Sequence, residues 1–214
     1  MNNLLYVFAY KFLSLATWIS SINPITFSNS TLINLLNTGG YAIISAGHNP
    51  KLSSNELVLT DETIQERLGN LSDDLTNTFL YSDVLGMYDE SLENSFLVVL
   101  HNDSPEKERT LICQLGEKYN QDSVIYVKQA TPVIQQLIYT TGPLNGTYVE
   151  GQGYKILSGN VTDNYSRVQL CPNSTFTFSL NFNFDCMFTA PNVRTRTQQL
   201  IHHHARNRAR NRMH

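Results

Sequence analysis

The chain has 214 residues, 41% of them apolar or aromatic and 15% charged, which excludes a wholly disordered protein and leaves room for one domain with extensions or two small ones. Its net charge of -3 conceals an asymmetry: all 18 acidic residues precede Val193, and the six basic residues beyond it are all arginines. An acidic body is a poor match for a nucleic-acid backbone, and three cysteines (Cys113, Cys171, Cys186) without CxxC spacing exclude a disulfide framework and a zinc centre.

Residues 1–39 read as an apolar N-terminal extension. Leu4 to Ile19 is mostly apolar but is interrupted by Lys11 near its middle, and it lacks a basic start. A helix packed on the body is the leading reading; a membrane anchor and a signal peptide stand as alternatives. N-x-S/T sequons, among them those starting at Asn29, Asn70, Asn145, Asn160, Asn164 and Asn173, are compositional in so Asn- and Ser-rich a chain.

Residues 40–184 read as an α/β domain. Tyr41 to Ala46 is a short apolar run after two glycines, a buried strand that opens into the loop "GHNPKLSSNE". Asp61 caps a helix whose stripe is Ile64, Leu68, Leu71, Leu75 and Phe79. Asp83 to Tyr88 and Ser95 to Leu100 are strands joined by the turn "DESLEN". Ser104-Pro105-Glu106 starts a second helix, with Leu111, Ile112, Leu115 and Tyr119 inward. Ser123 to Val127 is the fourth strand. The order strand, helix, strand, strand, helix, strand predicts an α+β fold: a split β-α-β, ferredoxin-like sheet with two helices on one face. Beyond Ala130 the glycine content predicts C-terminal hairpins that extend the sheet. Phe176, Phe178, Leu180, Phe182 and Phe184 alternate along one long half-buried strand.

Residues 185–214 read as a basic, His-rich flexible tail. Arg206, Arg208, Arg210 and Arg212 are candidate nucleic-acid contacts, while His202, His203 and His204 are adjacent and cannot share one metal from a regular helix or strand.

No phosphate-binding glycine loop, HExxH or G-x-S-x-G occurs. His48 and His101 read as surface or capping residues, and Cys113 as core. What remains is polar residues at strand ends: Ser45, Glu93, Ser95, Gln121, Asp122 and Ser123, with Tyr126 in the following strand. These are the candidate binding residues. Glu93 and Asp122 are a candidate carboxylate pair for acid-base or metal chemistry; as the alternative, they cap turns. No catalytic group, metal or cofactor is assigned.

Several motifs occur in a specific order: "ISA" at Ile44–Ala46, R-x-x-x-L-x-x-D-L from Arg67 to Leu75, Gly86 and Tyr88 as G-x-Y, "ENSFLV" from Glu93, "KYNQDSVIY" from Lys118, then "NYSRVQL" and "FTF". Over Tyr41 to Leu180 the chain resembles short proteins of cyanobacterial and other tailed phages, relatives of the bacterial domain-of-unknown-function family 3293. Ile64 and Leu68 depart from the family pattern, which carries Asn near both. The resemblance implies a phage accessory protein in the bacterial host cytoplasm, a non-catalytic binder of a host protein or small ligand. The alternatives are an enzyme of nucleotide or nucleic-acid metabolism with a strand-end polar site, and a membrane-tethered or virion-associated protein using residues 4–19.

Overall fold

A computed structural model describes residues 23–49, 52–88, 91–159, 161 and 164–189. The expectations for Leu4 to Ile19, the histidine run and the tail arginines lie outside these residues. The elements in order are α1 (Asn29–Thr38), β1 (Tyr41–Ser45), α2 (Ser54–Leu57), α3 (Asp61–Thr76), β2 (Leu80–Tyr88), β3 (Ser91–Val99), α4 (Pro105–Lys118), β4 (Ser123–Lys128), β5 (Ile134–Tyr139), β6 (Thr147–Ile156), β7 (Tyr165–Leu170) and β8 (Ser174–Thr189).

The eight strands form a closed barrel in the order β1-β3-β2-β7-β8-β6-β5-β4, and every neighbouring pair is antiparallel. This corrects the expected α+β, split β-α-β sheet with two helices on a face. The C-terminal strands do not extend an open sheet; they close it. β8 does most of this, pairing with β7 over Ser174 to Phe178 and with β6 over Phe178 to Thr189. Its register against β6 shifts on both sides of Gly151, where any side chain would collide with the Asn181 backbone. That irregularity bends the pair so that the sheet curls onto itself.

Alternation along each strand sorts its residues between two cores. Tyr41, Ile43, Val84, Leu97, Val127, Val168, Phe176 and Phe178 fill the barrel interior. Ala42, Ile44, Val98, Val124 and Tyr126 face outward, under α3 and α4. The α3 stripe (Leu68, Leu71, Leu75) and the α4 stripe (Ile112, Leu115, with Tyr119) supply the cover. Each such aliphatic side chain, fully buried, is worth about 1.5–3 kcal/mol. Thr60, not Asp61, caps α3: its hydroxyl accepts from Thr63 N at 3.3 Å, and Asp61 and Glu62 occupy the first turn. Pro105 opens α4, and the Glu108 carboxylate accepts from His101 N and Asn102 N, both at 3.1 Å.

Helix α1 is absent from the sequence expectations. Ser28 caps it, accepting from Thr31 N at 3.1 Å, and Gly39 ends it with φ 77°. Leu32 and Leu36 join the interior cluster beside Tyr41, so α1 plugs the end of the barrel where β1 begins. The opposite end is the mouth. Among the described residues no helix is long and apolar enough to cross a membrane.

Candidate functional site at the barrel mouth

At the mouth β1 and β2 end while β3 and β4 begin. Opposed residues of antiparallel strands share a face. Ile43 pairs with Leu97 inside the barrel; two residues on, Ser45 pairs with Ser95, and Ser95 also faces Val84. Another step outward sets Glu93 opposite Gly86, and Gly86 opposite Ser166. Ser123 pairs with Tyr139 on the same inner face as Ile125 and Leu137. The interior therefore turns from aliphatic to polar towards this end. Gly86, the glycine of the G-x-Y motif, leaves space across from Glu93.

Glu93 lies within β3 and not in a turn, because β3 begins at Ser91. The polar alternation of Ser91, Glu93 and Ser95 marks the inner face of a strand at a polar mouth; in the sequence it reads as a turn. Burial pushes the Glu93 carboxyl pKa up, against the opposing effects of Ser45 and the charge of His48. Ser45 is a weak counterweight. Its hydroxyl carries one proton, which it also donates to Asn94 O at 2.7 Å, and it accepts from Gly47 N at 3.1 Å.

Gly47 is where Glu93 and Gln121 meet. A Cβ at Gly47 would lie 2.5 Å from Glu93 Oε1 and 3.1 Å from its Cγ, so the carboxyl packs on bare backbone. From the other side the buried Gln121 amide donates to Gly47 O at 3.3 Å and to Tyr119 O at 3.4 Å. The Gln121 carbonyl accepts from Thr140 Oγ1 at 2.7 Å and Thr141 Oγ1 at 2.8 Å. Asn120, at φ 56°, makes the left-handed turn that ends α4 and delivers Gln121 to this position.

Ser45, Glu93, Ser95 and Ser123 thus line the inner face of the mouth, and Gln121 reaches it through Gly47. Asp122 is half-buried, and its carbonyl accepts from Thr140 N at 3.0 Å. Tyr126 stands apart, on the outer face, donating to Pro105 O at 2.8 Å beneath α4. Gly47, Thr140 and Thr141 escaped the sequence reading, for nothing local marks a glycine or a threonine that matters by what it touches. His101 stacks on Phe79 at 5.6 Å and contacts Thr78 O, away from the mouth. Among the described residues no cluster of three or more His, Cys, Asp or Glu forms a metal-binding group.

Fold and mouth together define a β-barrel protein that presents a half-buried carboxyl beside neutral hydrogen-bonding groups. A model of the S-adenosylmethionine lyase family matches residues 52–202, and the chain belongs to that family. No curated protein matches it.

Membership of this family corrects the resemblance to the domain-of-unknown-function family 3293 and its phage relatives. Because the family is an enzymatic one, it also overturns the reading of a non-catalytic accessory binder, and it gives no support to the nucleotide-enzyme alternative. The motifs behind that resemblance are helix stripes and strand starts, and they include Ser45, Glu93, Ser95 and Gln121 of the mouth. The matched span includes Glu93 and Gln121 and begins after Ser45, Gly47 and His48.

Proposed function

We propose that this protein is an S-adenosylmethionine lyase with its site at the barrel mouth, and that Glu93 binds the positive end of the substrate. The observation that carries this is a half-buried carboxyl, packed on the Gly47 backbone and with its pKa raised by burial, whose ionised form a cation would stabilise. S-adenosylmethionine has a permanent sulfonium charge and an ammonium group, and either would lower the cost of ionising Glu93 in place. Ser45, Ser95, Ser123 and Gln121 supply neutral hydrogen-bonding groups around it. The acidic body of the protein raises the local concentration of a cationic substrate.

The chemistry asks little of the protein. A sulfonium leaves as a neutral thioether, so no acid is needed. A lyase adds no water, so the electron pair comes from the substrate itself. With Glu93 occupied by the positive charge, we assign that pair to the substrate carboxylate. It attacks the γ-carbon, the new C–O bond closes a five-membered lactone, and the C–S bond breaks with both electrons going to sulfur. The site then acts by holding the chain folded for attack and by excluding water.

The test is incubation of the purified chain with S-adenosylmethionine, followed by chromatography of the products. A thioether nucleoside and a lactone are expected, and Glu93→Gln should lower the rate about 100-fold or more, as loss of a site's main electrostatic contact does. An unsaturated amino acid in place of the lactone overturns the internal attack. No turnover, or an unaffected Glu93→Gln, overturns the assignment. We infer a cytoplasmic place of action, where this substrate is made; recovery in a membrane or secreted fraction would contradict it.

A further inference from the structure

Among the described residues, the segment that follows Gly47 leaves its larger apolar side chains exposed: Leu52 is 36% and Val58 76% exposed. What holds this region is a polar cage around Glu56, a residue of α2 that is only 7% exposed. Arg67 of α3 grips its carboxylate with both terminal nitrogens, Nη1 to Oε2 at 2.9 Å and Nη2 to Oε1 at 3.2 Å. Asn120 Nδ2 donates to the same Oε1 at 3.0 Å, and the Asn49 backbone N–H also bonds the carboxylate. The Glu56 carbonyl lies 2.7 Å from His48 Nδ1; a carbonyl can only accept, so Nδ1 carries the proton. Asn49 in turn donates through Nδ2 to Asn120 O at 2.7 Å and Thr141 Oγ1 at 3.0 Å.

The two residues directly after Gly47 are therefore tied, through Glu56, to α3 and to the turn that presents Gln121. We propose that Glu56, gripped by Arg67, is a positioning residue for the lyase site: it fixes His48 and Asn49 so that Gly47 stays packed against the Glu93 carboxyl. This rests on the reading of Glu93 as the residue that binds the substrate cation. A buried ion pair of this kind adds little net stability over apolar packing, so its placement beside the mouth calls for a role beyond stability. If the cage opens, Gly47 withdraws, water reaches Glu93, and the carboxyl loses both its fixed direction and its desolvation.

The experiment compares the full-length wild type with Glu56→Gln, Arg67→Lys and Glu93→Gln. It measures kcat, KM and the pH dependence of kcat/KM for S-adenosylmethionine, with a thermal melt of each. Arg67→Lys keeps the charge and loses the two-pronged grip, so it serves if Glu56→Gln does not fold. Both cage variants are expected to lose about ten- to a hundredfold in kcat/KM, the scale of a misplaced reactive geometry. Both should also move the acid limb of the profile to lower pH, as water reaches Glu93. The charge of His48 also lowers the Glu93 pKa, and its release by the same change works against that shift, but burial is the larger of the two effects. A cage that served stability alone would shift the melt and leave the acid limb in place. Wild-type turnover that Glu93→Gln abolishes, with both cage variants keeping the rate and the acid limb, overturns the role of Glu56 alone. No turnover by the wild type overturns the lyase reading and the positioning role with it.

Discussion

Burial holds the Glu93 pKa above its usual range. Glu56, in α2, goes the other way: burial raises its pKa, but the bonds from Arg67, Asn120 and Asn49 outweigh that and hold it low. The two have opposite linkage to folding. For Glu93 the folded state keeps its proton longer than the unfolded chain does, so its contribution is full below the ordinary Glu pKa of about 4.3 and is lost as pH rises through the folded value. Glu93→Gln should therefore melt above the wild type at pH 8, and the gap should close in acid, even as activity disappears. For Glu56 the contribution is full above the ordinary pKa and is lost as pH falls through the depressed folded value. Glu56→Gln should cost about 1–3 kcal/mol at pH 7, as lost hydrogen bonds to a charge do, with the cost shrinking in acid. Thermal melts across pH check both. At Gly47 an alanine would press on the movable end of Glu93, so Gly47→Ala should lower kcat/KM about tenfold or more with little change in melting temperature.

At the scale of elements, the helices were the most legible. The stripe stands from Ile64 to Leu75, with Phe79 buried beyond the helix end at Thr76, and Pro105 opens α4 as expected, although the Ser104 side chain makes no capping bond; a period of 3.6 residues needs no partner to be recognised. Helix α1 was missed, although Ser28, Leu32, Leu36 and Gly39 carry a cap, a stripe and a stop. The apolar reading of residues 1–39 as one extension hid it. Strand β3 was begun too late, at Ser95, because Glu93 and Asn94 in a strand look like a turn until the polar mouth is known. The α4–β4 contact is close: a Cβ at Gly116 would lie 2.7 Å from Val124 Cγ1 and 3.0 Å from Thr140 Cγ2. Gly116→Ala should destabilise by about 1–3 kcal/mol through overpacking, more than the roughly 1 kcal/mol that alanine gains in a helix. Denaturant melts decide the sign.

In the whole molecule, closure of the barrel sets both stability and site. Phe178 has no exposed surface, sits opposite Ser166 on β7 and Ile156 on β6, and joins the interior cluster. Phe178→Ala should cost about 3–5 kcal/mol, measured by equilibrium unfolding. The loss should reach the mouth, because β7 and β2 bring Ser166 and Gly86 to the space opposite Glu93 only while β8 holds the ring shut.

The sequence by itself determined the helical stripes, the presence of the main strands, the alternation of Phe176 and Phe178, and the polar residues Ser45, Glu93, Ser95, Gln121 and Ser123, which stand out against apolar runs. Those signals are local: periodicity says which side chains share a face, and residue type says what a face tolerates. Tertiary structure alone decided that the sheet closes, that its inner face turns polar at one end, and that Gly47 lies between Glu93 and Gln121. A strand's own residues do not specify which neighbour it pairs with, and β8 closes the ring by pairing with two strands at once. The cage around Glu56 joins residues up to 92 positions apart, a separation no local pattern records.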